Sequence, residues 1–422
     1  ITNTNDHPIT IGLDIGSSTI RCAIGQIIQP KGKIKLLGIS SVQSGGIQNG
    51  VITDRDELIE ALEKVLTDAE IMANIKVESV TLSITGENIR SMNTQAAIAL
   101  NRVNGTINGI NNRAIENADI YQVLDLAQAV SLPVDKDILH TIPQEYIVDT
   151  LNNIKNPIGM TGRRLEARVH LVTAASTAIN NLVSSVEELG ITVDGLVFQP
   201  LASALAALEK DEMELGVTLV EFGSNSTNIA VYYNNAVRHS ATIPIGSASI
   251  TNDIAVMLQI SINEAENIKK KYASALSSMS SDKLDIKFQS NNDSKERSIT
   301  EKKVSQYVEA RIQEIFQMVI REVSRADIKD PLTYGIVMTG GGAELRNIIS
   351  LAEHSLGVKV RKGNPNKIEG THEIANKPHF TTVMGLLLWP TYSNDHIRIH
   401  KPNLGSLKNI INKIRHTIEN MF

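Results

Sequence analysis

Cysteine is nearly absent from this sequence. Cys22 stands alone, so no disulfide framework can form and a reducing compartment fits. Aromatic residues are scarce at 4%, and no apolar run approaches the ~20 residues that a membrane-spanning helix needs. A positive excess is missing too: 41 Lys and Arg stand against 46 Asp and Glu. With a net charge of −5 and no dominant basic face, a nucleic-acid binder is not expected. The opening Ile1 to Thr10 is polar and carries Pro8, so no secretory leader is expected there. Hydrophobic residues make up an ordinary 42%, which sets disorder aside, and 422 residues exceed what one core serves, so two or more subdomains are expected.

What is present is a repeated turn. Ile11-Gly12-Leu13-Asp14-Ile15-Gly16-Ser17-Ser18-Thr19 and Leu219-Val220-Glu221-Phe222-Gly223-Ser224-Asn225-Ser226 each place an acidic-x-Gly turn between two apolar runs. Both read as β-hairpins whose tips can bring backbone N–H groups against phosphate oxygens. A third turn, Gly340-Gly341-Gly342, follows the apolar strand Tyr334 to Thr339 and is expected to open a helix, a setting that suits a nucleoside or phosphate. Any one of these alone is an ordinary turn. In this order they point to an actin-like nucleotide cleft.

Between the turns the pattern is α/β. Leu58, Leu62, Val65, Leu66, Ala69 and Met72 give Asp54 to Ala73 a helical period. That rhythm breaks from Asn88 to Gly162, where a polar Asn/Gly-rich segment precedes a helix (Ala114 to Val130) and strands (Ile138 to Thr150). A small inserted domain is the simplest account. A second insertion is expected from Asn252 to Asp330, with a Glu/Lys helix (Asn263 to Ala275), a Ser-rich loop (Ser277 to Arg297) and a long helix (Thr300 to Arg325). The chain is expected to return to the first half at Thr381 to Leu386.

Longer strings are more specific. His140-Thr141-Ile142-Pro143-Gln144-Glu145-Tyr146, Asn156-Pro157-Ile158-Gly159-Met160-Thr161-Gly162 and Arg164-Leu165-Glu166-Ala167-Arg168-Val169-His170-Leu171-Val172-Thr173 resemble the FtsA family of bacterial cell division proteins, within the actin/Hsp70/sugar-kinase superfamily. The resemblance runs from about Ile9 to Leu388 and includes the tail. It implies an α/β, duplicated actin-like (ribonuclease H-like) fold of two lobes, with an inserted small α+β subdomain and a C-terminal amphipathic helix. The implied divisions are 8–82, 166–200 and 362–390 for the first large subdomain and 83–165 for the insertion. The second lobe would hold 201–251 with 331–361, and 252–330, followed by a linker (391–403) and the terminal helix (404–422). The family tethers the tubulin-like ring protein FtsZ to the cytoplasmic face of the inner membrane at the division site, polymerises, and recruits later division proteins.

Carried over residue by residue, the resemblance implies ATP with Mg²⁺. Asp14 would hold the ion through water, which Mg²⁺ sheds reluctantly, with Glu221 as the second acid. Gly16, Ser17 and Ser18 would meet the β- and γ-phosphates, and Gly223, Ser224, Asn225 and Ser226 would close on them from the other lobe. Gly340, Gly341 and Gly342 would lie at the nucleoside. Glu266 and Lys269 match the superfamily's adenosine-contacting Glu-x-x-Lys, although alone that spacing describes a solvated helix face. Gln199 stands where actin-like ATPases carry the residue that orients the attacking water. Departures accompany these matches: Thr19 replaces a frequent Lys, Glu221 adds a methylene, and Asn228 removes a carboxylate. Ser224 and Asn225 replace glycines, and at a position requiring φ > 0 Asn is tolerated better than Ser. A displacement of about 1 Å can lower a rate about 10²-fold, so slow hydrolysis is expected.

At ~100° per residue, Leu404, Leu407, Ile410, Ile411, Ile414, Ile418, Met421 and Phe422 share an arc of about 120°, with Lys408, Lys413 and Arg415 outside it. Such a helix packs on a protein core or lies in a membrane interface, and the family resemblance favours an anionic membrane surface. The resemblance also implies that the subdomain of the long helix docks the C-terminal peptide of FtsZ, with Arg311 and Arg321 as candidate donors. Two other functions remain open on this fold: a type IV pilus assembly protein, and a sugar-kinase-like phosphotransferase. The latter needs a catalytic Asp base, for which the sequence offers no candidate.

Overall fold

The computed structural model describes residues 8–28, 33–100, 113–289, 296–328, 331–370, 375–396 and 398–399. Two large sheets repeat one plan. In the first, the strands run in the order Thr192–Phe198, Ser79–Ile84, Ile9–Ile15, Thr19–Ile28, Lys33–Gln43 and Ile368–Glu369. In the second, the order is Ala236–Ile243, Thr227–Tyr233, Val217–Phe222, Ile336–Thr339 and Val360–Lys362. Each begins as an antiparallel meander and continues through parallel strands on the other side of its first strand. The leading strands are covered on both faces, which is why Leu13, Ile15, Leu219, Val220 and Phe222 form apolar runs and not alternating ones.

The lobes are joined by two helices, Gln199–Ala207 and Thr381–His396. Their close approach is set by Gly385: a Cβ there would lie 1.8 Å from the carbonyl oxygen of Ala202. Gly12 meets the same helix on its other side, where a Cβ would sit 2.8 Å from the Val383 oxygen. The expected return of the chain at Thr381 is therefore a helix wedged between the first sheet and its partner helix.

The inserted sheet is antiparallel, in the order Leu151–Ile154, Lys136–Val148, Arg164–Ala175 and Arg90–Ala99. The helix Asn117–Gln128 closes a separate core over it with Val123, Leu124, Leu165, Val169 and Leu171. Arg90–Ala99 was expected as a polar irregular segment; it is a sheet-edge strand whose buried side is short, so it shows no apolar alternation. In the second lobe the helix Glu301–Ser324 buries Val304, Val308, Ile312, Ile315, Phe316 and Val319, with Val323 partly buried at its end. The Ser-rich loop expected over 277–297 instead contains the strand Asp285–Gln289, paired with Glu296–Thr300.

Several expected boundaries fall inside elements. Residue 83 lies within the strand Ser79–Ile84, 165 within Arg164–Ala175, 200 within Gln199–Ala207, 251 within Ser247–Leu258, and 390 within Thr381–His396. The linker expected from 391 begins as the end of that last helix, and Arg398–Ile399 then adds to the inserted sheet opposite Thr141 and His140. The terminal helix expected over 404–422 lies outside the described residues.

Ala in place of a helical Gly ordinarily stabilises by up to about 1 kcal/mol. At Gly385 the sign reverses, because the new methyl meets a backbone carbonyl. Gly385→Ala is expected to destabilise by about 1–3 kcal/mol in a denaturant titration, and a neutral or stabilising result would refute this view of the crossing.

Candidate functional site

Both acidic turns close in the same way. The Gly16 N–H donates to the Thr19 oxygen at 3.2 Å, and the Gly223 N–H to the Ser226 oxygen at 2.9 Å. A Cβ on either glycine would lie within 2.9 Å of its acceptor, so the turn itself demands glycine. Positive φ is not needed at Ser224 or Asn225, neither of which is among the residues with left-handed backbone. The expectation that they might strain such positions is corrected, and the second tip is an unstrained turn. It is also buttressed: the N–H groups of Ser247 and Ala248, at the start of the helix Ser247–Leu258, donate to the Gly223 and Ser224 oxygens at 2.9 and 2.8 Å.

Because each tip is a short turn, the register places the residue seven beyond the acid directly across from it. Asp14 pairs with Arg21, and Glu221 pairs with Asn228. All four side chains are drawn to the floor between the lobes, with Asp14, Glu221 and Asn228 at 5% exposure or less. Asp14 Oδ1 accepts from Ser83 Oγ at 2.7 Å and from Gln199 Nε2 at 2.8 Å. Gln199 Oε1 in turn accepts from Asn228 Nδ2 at 3.0 Å, and the same nitrogen lies 3.1 Å from Glu221 Oε2. Glu221 Oε1 accepts from Ser203 at 3.0 Å and from Thr382, on the two connecting helices. Asp14 and Glu221 therefore face one common centre, joined through the amides of Gln199 and Asn228.

The electrostatics are unbalanced. Burial raises the pKa of Asp14, opposed by the Arg21 guanidinium and by the Ser83 and Gln199 hydrogen bonds. Burial also raises Glu221, and the nearby Asp14 charge raises it further against the hydrogen bonds from Thr382, Asn228 and Ser203. One cation answers them: Arg21 Nη1 is 3.7 Å from Asp14 Oδ2, and its guanidinium lies 5.7 Å from the Phe380 ring centroid. Burial lowers the pKa of Arg21 while Asp14, Glu221 and Glu344 raise it. Asp14 Oδ2 and Glu221 Oε2 keep lone pairs free, so a hydrated divalent cation suits the floor. Among the described residues no group of three or more His, Cys, Asp or Glu is placed to hold a metal ion directly.

The remaining expected residues divide. Gly340 takes φ 83°, and a Cβ there would meet the Phe222 backbone at 2.7 Å, so the third turn is seated on the second hairpin. Gly342 faces the Phe222 ring, while Gly341 is open. The turn opens only a 3-10 segment, Gly341–Glu344, and the helix proper is Ile348–Leu356. Glu266 and Lys269 pair at 2.7 Å, and Lys269 Nζ donates to Thr251 Oγ1 and to the Ser247 oxygen at the buttressing helix. Burial pushes the Glu266 carboxyl up, but Lys269, Thr251 and Lys270 outweigh it and hold it low. Arg311 is committed within the chain: it forks onto Asp253 at 2.6 and 2.8 Å and also meets Glu314. Arg311 stays partly exposed with these pairs made, and Arg321 is exposed.

The chain matches the model of the cell division protein FtsA over residues 218–385, and that of the SHS2 domain inserted in FtsA over 86–173. The FtsA proteins of Pseudomonas aeruginosa and Neisseria meningitidis are each 36% identical to it, over 90% and 89% of this chain and 88% of theirs. The chain belongs to the FtsA family of cell division proteins. The Escherichia coli K12 member is 29% identical over 99% of both chains. Among solved structures, a PilM–PilN type IV pilus biogenesis complex aligns with TM-score 0.64 at 15% identity, covering 90% of this chain and 97% of that one. MreB5 of Spiroplasma citri bound to AMPPNP aligns with TM-score 0.55 at 14% identity, covering 96% and 98%. These two establish an actin-like fold, in which the SHS2 insertion is the sheet built from 90–175.

Arg21, Ser83, Thr85, Ser203 and Thr382 escaped the sequence reading, and Asn228 entered it only as a departure from the family pattern. Hairpin register alone could have found Arg21 and given Asn228 its place opposite Glu221; the other four come from distant segments and carry no local signal.

The raised carboxyls have a pH signature. A buried acid whose folded pKa exceeds its unfolded value stabilises the fold below the unfolded pKa and loses that contribution as pH rises through the folded one. Above about pH 4, thermal stability of the nucleotide-free protein is thus expected to carry a downward slope from Asp14 and Glu221. Asp14→Asn should flatten that slope in melting curves taken at successive pH values; an unchanged slope would show that Asp14 does not titrate as its burial requires.

Proposed function

We propose that this chain binds ATP with Mg²⁺ between its lobes, polymerises, and serves at the cytoplasmic face of the inner membrane as the peripheral tether of the FtsZ ring and a recruiter of later division proteins. The observation that carries the nucleotide reading is the floor itself: two buried acids from the two lobes, one guanidinium, and glycine tips above them. MreB5 of Spiroplasma citri, which shares the fold, has been solved with AMPPNP and with ADP. Mg²⁺ would supply positive charge against the phosphates. Asp14 and Glu221 would hold its water shell, while the tips at Ser17 to Ser18 and Ser224 to Ser226 would present backbone donors. Arg21 supplies a positive charge beside Asp14.

Membrane attachment is assigned to 404–422. Lys408, Lys413 and Arg415 add about 1 kcal/mol each against anionic lipid, and multiple tails on a polymer reinforce the binding. Among the described residues no helix is long and apolar enough to cross a membrane. The FtsZ peptide is assigned to the subdomain of the helix Glu301–Ser324, with Arg311 and Arg321 as the candidate donors.

Calorimetric titration of the full chain with ATP·Mg²⁺ is expected to give saturable binding. Arg21→Ala should weaken it about 10–100-fold, the range for losing a hydrogen bond to a charged group. No measurable binding by the parent chain would overturn the cleft assignment. For the tail, sedimentation with vesicles containing anionic lipid should fall to background when residues 403–422 are removed; undiminished binding would move the membrane contact elsewhere.

A further inference from the structure

Side chains of the inserted sheet reach across to the strand Ala236–Ile243 of the second lobe. Ser91 Oγ donates to the Ser240 oxygen at 2.5 Å, Asn93 Nδ2 to the Arg238 oxygen at 2.9 Å, and Gln144 Nε2 to the Val237 oxygen at 2.7 Å. The buried His170 ring bridges Asn93 Oδ1 and Ser240 Oγ at 2.7 and 2.8 Å. Beside this seam lies a cavity of about 390 Å³ that opens to solvent, with Arg168 of the inserted sheet and Arg238 of the second lobe both in its lining. Neither guanidinium is fully used. Arg168 is half-exposed and meets Glu145 through Nη1 at 2.9 Å. Arg238 is half-buried and donates through Nε alone, to the Tyr233 oxygen at 3.1 Å. Burial lowers its pKa; Glu145 opposes that shift and the Arg168 charge adds to it. A guanidinium drawn out of water with its terminal N–H groups unmatched is costly until an anion joins it. Acceptors line the same cavity: Gln144 Oε1 and the exposed Asp327 carboxylate take no hydrogen bond from the described residues. Tyr233 and Ile328 add apolar surface.

We propose that this cavity binds a small phosphate monoester bearing hydroxyl groups, of the sugar phosphate class, and clamps it between the inserted domain and the second lobe. The site shares no residue with the floor of Asp14 and Glu221 and does not rest on the nucleotide reading. Charge selects the phosphate. Guanidinium N–H groups match phosphate oxygens in pairs, and one phosphate can take the terminal nitrogens of Arg238 together with the unpaired edge of Arg168. Bridging the two relieves their mutual repulsion across the seam. The acceptors select the hydroxyls. A carboxylate beside a bound phosphate is repelled unless it gains a donor of its own, and the ligand's hydroxyl groups supply donors to Asp327 and to Gln144 Oε1. Size agrees, since small-molecule sites run from about 300 to 1,000 Å³, far more than a phosphate ion alone would fill. The walls are held in advance by the bonds of Ser91, Asn93, Gln144 and His170, so little ordering is needed on binding.

The test titrates the full chain with glucose 6-phosphate, glycerol 3-phosphate, inorganic phosphate and glucose, reading affinity by calorimetry and location by hydrogen exchange. At least one of the two esters is expected to bind saturably and to slow exchange over 91–95 and 236–240. Inorganic phosphate should bind more weakly and glucose not at all. Arg238→Gln and Arg168→Gln should each weaken the ester about 10–100-fold, the range for losing a hydrogen bond to a charged group. Arg238→Lys should cost less than Arg238→Gln, because it keeps the charge and loses only the fork. Inorganic phosphate bound as tightly as the esters would overturn the assignment of a hydroxylated ligand. Ester binding unchanged in both Gln variants, or protection confined to the turns at Asp14 and Glu221, would put the phosphate elsewhere and overturn the site. Failure of both esters to bind the parent chain would overturn it as well, and would leave the ATP·Mg²⁺ titration unaffected.

Discussion

Two carboxylates, one from each lobe, are buried at one point between the lobes, and one guanidinium stands with them. Burial drives both toward protonation, so the surrounding hydroxyls and amides are needed to keep the floor anionic. Ser83, Ser203 and Thr382 each aim a donor at an acid, and they arrive from a central strand and from the two helices that join the lobes. The polar floor therefore ties the hinge helices to both tips.

The molecule is a duplication with one deliberate asymmetry. The tips share their hydrogen bond, their glycine requirement and their strand register. The cross-strand partner of the acid, however, is a cation in the first lobe and a neutral amide in the second. A second cation would neutralise the floor and weaken its demand for a divalent ion; a third acid would repel the other two. Arg21 and Asn228 keep the centre one charge short of neutral, which suits a hydrated metal.

Much of this architecture was legible in the chain, where local chemistry and tertiary role coincide. The acidic-x-Gly tips announce themselves because a tight turn and a phosphate approach both ask for glycine. The helix Glu301–Ser324 shows its apolar stripe because one face alone is buried. The edge strand Arg90–Ala99 was illegible, since its contacts to the second lobe are polar: Asn93 reaches the Arg238 oxygen and Ser91 the Ser240 oxygen. The ion pair of Arg311 was illegible for a related reason, because a helix-face arginine reads as solvated until the Asp253 that meets it is placed beside it.

By itself, then, the sequence determined the duplicated α/β plan, the glycine tips, the acids Asp14 and Glu221, and membership of the FtsA family. These are properties of short, contiguous strings. The tertiary structure alone decided which residues share the floor, that Gln199 is bonded at both ends, and that Arg311 pairs with Asp253 and Glu314. Those facts depend on contacts between segments far apart in the sequence, such as Thr85 with Asn228 and Thr382 with Glu221. Polar side chains of that kind leave no periodicity along the strand or helix that carries them, and only the closing of the two lobes brings them together.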